Sequence, residues 1–219
     1  DRHIELNCSN QHDSILPEHL VTMFEKSSTS LDIGQKQKFK DLLIEFQTVF
    51  SKDDFDLGCL KNTEHKIVTT DEIPVKDKFR RTPLKFQQQE KEYIEKLLQQ
   101  GVIEPSSSDW SSAPVLVRKK TGDLRYCLDY RALNNKTIKD NFNLPIIEDC
   151  LDSLQGKKLF CVLDLCSGYY QIPLAEDSKN KTSFTTRFGT CRWTRLPMGL
   201  CNSPATFQRA MQLVLKGLT

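Results

Sequence analysis

The sequence has no long hydrophobic run and no paired metal-binding cysteines, and these absences exclude several classes of protein. No stretch of its 219 residues reaches the roughly 18 apolar residues of a transmembrane helix. It contains eight cysteines but no Cys-x-x-Cys pair, and its four histidines lie far from most of them. We therefore expect reduced thiols in an intracellular protein with no membrane contact, rather than a disulfide framework or a zinc site.

The first residues show no leader pattern. It begins with Asp1 rather than Met, and the first ten residues show neither a secretory apolar stretch nor a cleavage pattern. With 38% hydrophobic and 27% charged residues, the chain can bury the core of one domain or of two small ones. We therefore expect a segment of a longer protein.

Charge is distributed unevenly along the chain. Residues 1–59 contain 6 Lys or Arg and 11 Asp or Glu, whereas residues 60–219 contain 25 and 18. A basic module behind an acidic lead-in is a weak indication of a polyanionic partner. Ordinary surface charge explains the same pattern equally well.

The spacing of apolar residues divides the chain near residue 60. Helical spacing from Phe39 to Phe50 predicts an amphipathic helix over 35–50, and a short helix is expected after Pro17. The next residues indicate a turn and then an extended polar segment that lasts to residue 82. We assign residues 1–60 to a helical connector and residues 61–219 to a second domain.

The second domain combines helices with strands. Helices are predicted over 84–100, ended by Gly101, over 145–154, and from Ser203 to Lys216. A hairpin is predicted with strands at 115–118 and 124–130, and further strands follow at 159–165, 170–174, 182–186 and 190–194. The pattern predicts an α+β fold with mainly antiparallel sheet.

Asp164 is the most informative residue. It ends the apolar run 160–163, where a lone carboxylate is costly to ionise, so it either caps a turn or binds a cation. A tight turn and Tyr169 follow directly, and this grouping could place magnesium beside the sugar of a nucleoside. The sequence Asp-Leu-Cys-Ser-Gly differs from the Asp-Thr/Ser-Gly of aspartic proteases, which excludes that class.

Cationic residues gather at the predicted hairpin and just after it: Arg118, Lys119, Lys120, Arg125 and Arg131. Such side chains could close over a triphosphate and offset its charge. A solvated, lysine-rich edge that discourages aggregation is the structural alternative.

A Pro/Gly loop over residues 196–200 leads into the last helix. This loop could be a simple connection. It could also form a floor under a base pair, with the backbone packed closely at Gly199.

Four long segments resemble consecutive motifs of reverse transcriptases, in the right order, and the match is closest to the gypsy-like long-terminal-repeat retrotransposons. They are VLVRKKTGDLRYCLDYRALN (115–134), VLDLCSGYYQIPL (162–174), KTSFTT (181–186) and LPMGLCNSPATFQRAM (196–211). GVIEPSSSDWSSAPV (101–115) and LLIEFQTVFS (42–51) match as well, so the resemblance covers about residues 36–219.

The resemblance implies the fingers and part of the palm of a right-hand polymerase, preceded by a protease-to-polymerase connector. The implied activity is RNA-directed DNA polymerisation: a primer 3′-hydroxyl attacks a deoxynucleotide by two-metal phosphoryl transfer. The implied cofactors are two Mg²⁺ or Mn²⁺ ions, with dNTP as the substrate. Implied partners are an RNA or DNA template with its primer, together with protease, RNase H and integrase segments of a Pol polyprotein.

Matched residue by residue, Asp164 corresponds to the first catalytic aspartate and metal ligand, and the main chain of Leu165 to a further metal contact. Tyr169 corresponds to the aromatic residue under the incoming sugar, which rejects a 2′-hydroxyl. Arg125 corresponds to the fingers arginine that contacts the triphosphate. Lys119 is the choice for the fingers lysine, with Arg118 and Lys120 left open by the turn length.

Four further positions follow from the same resemblance. Arg131 and Asn134 fall where the family contacts template and primer or organises the fingers. Met198 stands where many retroviral enzymes carry Gln, so a polar contact to the nucleotide is in doubt there, whereas Gly199 keeps the close approach.

The family's Tyr-x-Asp-Asp motif, which supplies the other catalytic carboxylates, is absent from these residues. The segment is therefore expected to be inactive alone, and its parent protein to act in cytoplasmic virus-like particles with later access to the nucleus. Two alternatives stay open: a decayed, non-catalytic nucleic-acid-binding relic of a transposon, and an α+β domain with no nucleic-acid role.

Overall fold

The computed structural model describes residues 15–118 and 124–217, and nothing beyond the backbone at 116–118 and 124–125. These residues separate into two units, one ending at Asp56 and the other beginning at Leu57. The assignment of residues 1–60 to a connector and of residues 61–219 to fingers and palm stays a prediction.

The first unit is a pair of helices, α1 (Glu18–Ser27) and α2 (Ile33–Glu45). Asp32 caps α2, because its carboxylate accepts a hydrogen bond from the Gln35 amide at 2.8 Å while the Gln35 side chain accepts one from the Asp32 amide at 3.1 Å. The rings of Phe24 and Phe39 stack with centroids 5.6 Å apart, which joins the two helices.

The helix predicted over 35–50 is too long. It ends at Glu45, and a 3₁₀ turn follows at Gln47–Val49. The β-branched pair Thr48 and Val49 disfavours the helix, and Val49 stays 72% exposed, so no burial compensates.

The second unit combines five α-helices with five short strands in the described part of the chain. The helices are α3 (Gln87–Gln99, preceded by a 3₁₀ turn at Leu84–Phe86), α4 (Arg131–Lys136), α5 (Ile147–Ser153), α6 (Glu176–Lys179) and α7 (Ser203–Val214). The strands are β1 (Ile103–Pro105), β2 (Ala113–Arg118), β3 (Leu124–Asp129), β4 (Phe184–Thr186) and β5 (Gly189–Trp193). The hairpin, α3, α5, β4, β5 and α7 were expected, whereas α4, α6 and β1 were not.

The three pairs formed by these five strands are antiparallel. β2 pairs with β3 from Ala113 opposite Asp129, and a second sheet has the order β1-β5-β4. The core packs α3 against these sheets, with Leu97, Ile103 and Phe184 almost fully buried. Tyr130 is buried beside them, and its hydroxyl donates to the Thr182 carbonyl at 3.0 Å.

The extended segment 61–82 is attached to the second unit by single bridges rather than by a continuous ladder. The His65 amide donates to Pro173 O, and the Ala175 amide donates to His65 O, both at 2.9 Å. The buried Lys181 ammonium donates to Ile67 O at 3.1 Å and pairs with Glu72 at 3.0 Å. These contacts satisfy the backbone of a segment that forms no regular structure.

Two predicted strands are wrong. Residues 159–165 form no strand, and their apolar side chains are exposed, with Leu159 at 93% and Val162 at 90%. The strand predicted over 170–174 does not form either, because residues 168–171 form a 3₁₀ turn. A strand needs a neighbouring strand to which it can hydrogen-bond, and the described residues provide none for residues 159–165.

The N-terminus of α7 also differs from the prediction. Ser203 is the first helical residue and not the cap, and its hydroxyl donates to Pro197 O at 3.2 Å. Pro204 lies in the first turn, where its missing amide proton costs nothing.

Within the described ranges, none of the helices combines the length and hydropathy needed to span a bilayer.

Candidate active site

A tight turn places Asp164 next to Tyr169. Ser167 adopts a left-handed conformation, with φ of 45°, and the chain then enters the 3₁₀ turn Gly168–Gln171. The Gln171 side-chain amide donates to Cys166 O at 2.9 Å and closes the turn. The Asp164 side chain is exposed, so its carboxylate keeps its hydration and is available to a ligand.

The ring of Phe207, on α7, packs directly against this turn. A Cβ atom at Gly168 would lie 2.9 Å from Phe207 Cε2, so only glycine allows this approach. The rings of Tyr169 and Phe207 meet edge to face with centroids 5.2 Å apart. Phe207 therefore supports both the turn and the aromatic residue beside Asp164.

Replacing Gly168 with Ala should destabilise the second unit by about 1–3 kcal/mol, because the added methyl group overlaps the Phe207 ring. Urea unfolding followed by tryptophan fluorescence measures this, since Trp110 and Trp193 are both buried in that unit. Gly58→Ala is the matched control, because its new methyl group would lie 3.4 Å from Gln171 Oε1 and 3.9 Å from Gln171 Cδ, which are ordinary van der Waals distances. Equal stability of the two variants would contradict the packing argument.

Four of the predicted site residues line one open cavity of about 360 Å³: Asp164, Leu165, Tyr169 and Met198. Its wall is completed by Leu163, Gly168, Phe207 and Met211. Segments 162–174 and 196–211, which are separate in sequence, thus meet at one surface. The cavity combines a carboxylate with an aromatic ring and apolar side chains. A flat, partly apolar ligand that carries a charged group needs such a combination in its binding site.

Asn134 and Gly199 fix the loop that carries Met198. The Asn134 side-chain Nδ2 donates to Gly199 O at 2.8 Å, and its Oδ1 accepts from the Cys201 backbone amide at 2.9 Å. Gly199 has a φ of 98°, and a Cβ there would approach Tyr130 at 3.5 Å. In this structure Asn134 organises the loop through these two side-chain hydrogen bonds, and its predicted contact with template and primer stays a prediction.

Arg131 forms a two-bonded ion pair with Asp129. Its Nε donates to Asp129 Oδ1 at 2.8 Å and its Nη2 to Oδ2 at 2.7 Å. The hydrogen bond from this guanidinium lowers the pKa of Asp129 to about 2. The Arg131 side chain remains 83% exposed, so it can still meet a ligand.

The remaining predicted cations cannot be placed at the cavity. Lys119, with its alternative Lys120, lies outside the described residues. Only the backbone of Arg118 and Arg125 is described, as the last residue of β2 and the second residue of β3. The roles predicted for these four residues stay predictions.

The oxygen donors at the cavity fit a magnesium ion only in part. Over residues 15–118 and 124–217, no group of three or more His, Cys, Asp or Glu side chains is placed to hold a metal. Asp164 supplies one carboxylate and Leu165 an adjacent main-chain carbonyl, which are ligands that Mg²⁺ prefers. This set suits an ion that takes its other ligands from phosphate, from water and from further carboxylates.

Sequence reasoning gave no role to Phe207, Gln171 or Asp129. Phe207 lies inside a motif that was recognised, but the packing of its ring against Gly168 depends on how α7 folds back on the turn. Asp129 precedes Arg131 by two residues, and this spacing alone does not indicate an ion pair. A helical i, i+4 pairing of Phe207 with Met211 is the one signal that could have placed both on a common face.

The mixed helices and antiparallel sheets around this cavity match part of the polymerase fold of reverse transcriptases. Residues 117–219 match the family described as reverse transcriptase (RNA-dependent DNA polymerase), so this part of the chain is a reverse transcriptase domain. The α+β fold and the right-hand polymerase architecture predicted from the sequence are thereby confirmed.

The relatives include retrovirus-related Pol polyproteins from transposons. The chain is 34% identical over 189 residues to the Pol polyprotein of transposon 412 of Drosophila melanogaster, across 84% of this chain and 15% of the relative. It is 37% identical over 187 residues to that of transposon gypsy from the same organism, across 83% of this chain and 18% of the relative. The chain thus spans under one fifth of these two relatives.

Solved structures show the same architecture. The native prototype foamy virus protease-reverse transcriptase superimposes with a TM-score of 0.80 at 29% identity, over 94% of this chain and 28% of that chain. The foamy viral protease-reverse transcriptase in complex with an RNA/DNA hybrid gives 0.76 at 26% identity, over 90% of this chain and 27% of that chain.

Proposed function

We propose that the chain is the fingers and N-terminal palm segment of a retrotransposon Pol polyprotein that acts as an RNA-directed DNA polymerase. The observation that carries the proposal is the single cavity that unites Asp164 with Tyr169 and Met198. The substrates are a deoxynucleotide and a primer paired to an RNA or DNA template. The parent protein would work in cytoplasmic virus-like particles, beside its protease, RNase H and integrase segments.

Each residue of the cavity has a distinct task in this proposal. Asp164, with the main-chain oxygen of Leu165, would hold Mg²⁺ or Mn²⁺, which when bound supplies Lewis-acid stabilisation of phosphate charge. Tyr169 lies under the sugar of the incoming nucleotide and excludes a 2′-hydroxyl by contact. Met198 packs on the nucleotide through apolar contact only, and Gly199 lets the backbone approach.

The cations of the hairpin have a different task. Lys119 and Arg125 would neutralise the triphosphate.

The exposed segment 159–165 supports a role as part of a larger palm. Apolar side chains as exposed as Leu159 and Val162 are normally covered in a finished domain. Since the chain spans 15% and 18% of two relatives, we propose that the covering strands and the missing carboxylates belong to the parent protein. The 219-residue chain alone would then bind substrate without catalysing polymerisation.

Primer extension by the full-length Pol protein tests this function. The assay would use a labelled DNA primer on an RNA template, with Mg²⁺ and four deoxynucleotides. We expect extension by the full-length protein and none by the 219-residue chain, although both bind the hybrid. Binding by the full-length protein without extension would support the decayed relic instead. Absence of hybrid binding at low salt would support a domain with no nucleic-acid role.

A further inference from the structure

We propose that Gln171 is a positioning residue for Tyr169, through which it sets how strictly the polymerase excludes ribonucleotides. Gln171 is not among the residues that line the cavity. It acts through the backbone of residues 166–171, which we call the Tyr169 turn. The inference rests on the proposed function, in which Tyr169 contacts the sugar of the incoming nucleotide.

The side chain of Gln171 spans the Tyr169 turn. Its Nε2 atom donates to Cys166 O at 2.9 Å, so the last residue of the turn is joined to the first. Inside this closure, the Tyr170 amide donates to Ser167 O at 2.8 Å. The backbone is thus fixed on both sides of Tyr169, and the direction of the Tyr169 side chain follows from it.

The peptide group that Gln171 holds directly precedes the strained residue of the turn. Ser167 has a φ of 45°, a left-handed conformation that costs energy for any residue with a Cβ atom. Such a conformation persists only where the surrounding contacts fix it. The hydrogen bond to Cys166 O fixes the planar peptide group that joins Cys166 to Ser167. Without this bond, Ser167 would relax and rotate the backbone that carries Tyr169.

A segment more than a hundred residues earlier in the sequence supports Gln171 itself. The Leu60 amide donates to Gln171 O at 2.8 Å. Gly58 lies against the side chain, since a Cβ atom at this position would be 3.4 Å from Gln171 Oε1. Both the main chain and the side chain of Gln171 are therefore held from outside the turn, and Gln171 can act as an anchor for it.

Exclusion of a 2′-hydroxyl depends closely on where the Tyr169 ring lies. The ring packs against Phe207 at a centroid distance of 5.2 Å and lines the open cavity. A steric contact rejects one hydroxyl group only while the ring keeps its place. A shift of the ring would therefore admit a ribonucleotide, whereas a deoxynucleotide, which lacks that hydroxyl, would tolerate the shift.

Single-nucleotide incorporation by the full-length Pol protein tests this role, with a deoxynucleotide and the matching ribonucleotide compared. Gln171→Met keeps the length of the side chain but removes the N–H donor. We expect the ratio of the two kcat/KM values, deoxynucleotide over ribonucleotide, to fall by about 5- to 20-fold. Gln87→Met is the matched control, because Gln87 also donates to a main-chain carbonyl, Thr82 O at 3.1 Å, but does not line the cavity. The control should keep the wild-type ratio.

The ratio separates positioning from a purely structural role. Partial unfolding lowers both rates by the same factor, because both nucleotides are tested on one preparation. An unchanged ratio for Gln171→Met would overturn the positioning role and leave the proposed function intact. If that variant does not fold, Gln171→Asn decides instead: its amide is one methylene too short, so the ratio should fall by about 2- to 5-fold, and an unchanged ratio would again overturn the role. A wild-type protein that extends no primer would overturn the proposed function itself.

Discussion

Asp164→Asn in the full-length Pol protein should reduce primer extension by about 10³-fold or more. The carboxylate is the one acidic side chain of the cavity, and Asn keeps its size while removing the charge that a divalent cation requires. Loss of Lewis-acid stabilisation is worth several kcal/mol at the transition state, which corresponds to at least three orders of magnitude in rate. Single-turnover extension of an RNA-templated primer measures it.

Binding of the primer–template should change less than about 2-fold in the same variant, since phosphate contacts by cations dominate affinity. Asp152→Asn is a matched control, because Asp152 is also exposed but lies on α5 and is not among the residues that line the cavity. The control should extend primers at the wild-type rate. If Asp164→Asn retained more than a tenth of the wild-type rate, the assignment of Asp164 as a metal ligand would be wrong.

The parts of the fold that were predicted correctly depend on local sequence. Helix α3 has an apolar stripe that includes Ile94 and Leu97, and Gly101 follows it with φ of 64°, as its helix-ending role requires. The β2–β3 hairpin was indicated by two short strand patterns, at 115–118 and 124–130, on either side of the turn sequence 119–123. Such signals lie within about ten residues of the element they specify, so one sequence is enough to detect them.

The wrong predictions depend on distant partners. The run 159–165 has the composition of a buried strand, but composition cannot supply the neighbouring strand that would hydrogen-bond to it. Helix α4 was missed because it has six residues, too few for a periodic pattern, and Asn134 holds it by bonding to a loop 65 residues away.

The residues of the candidate site also fall into those predictable from local sequence and those that depend on distant contacts. Asp164, Tyr169 and Met198 could be named from motifs, and the structure brings them to one cavity. The supporting contacts of Phe207 and of Asp129 could not be named, because both arise from the way that separate segments pack.

Acid should destabilise the second unit through His65. This side chain is 2% exposed, and its Nδ1 lies 2.8 Å from the Thr206 hydroxyl on α7. Burial lowers the pKa of His65 to about 4, and the nearby Asp140 carboxylate offsets only part of this effect. The folded protein therefore keeps the ring neutral at pH values where the unfolded chain is already protonated.

The sign of the pH dependence follows from these two pKa values. Above the unfolded pKa of 6.5 the ring is neutral in both states, so its contribution to stability is complete. As the pH falls from 6.5 towards 4, only the unfolded state takes up the proton, and the free energy of unfolding should decrease by up to about 3 kcal/mol. Carboxylates with lowered pKa values, such as Asp129 and Asp177, lose their contribution only at lower pH.

Urea unfolding between about pH 7 and about pH 4.5, followed by the fluorescence of Trp110 and Trp193, measures this decrease. His65→Gln is the comparison, because Gln can still bond to Thr206 but does not titrate. We expect this variant to be less stable than the wild type at neutral pH, yet to lose much less stability on acidification. Parallel pH profiles for the two proteins would show that protonation of His65 does not cause the loss of stability of the second unit, which includes the helix that carries Phe207.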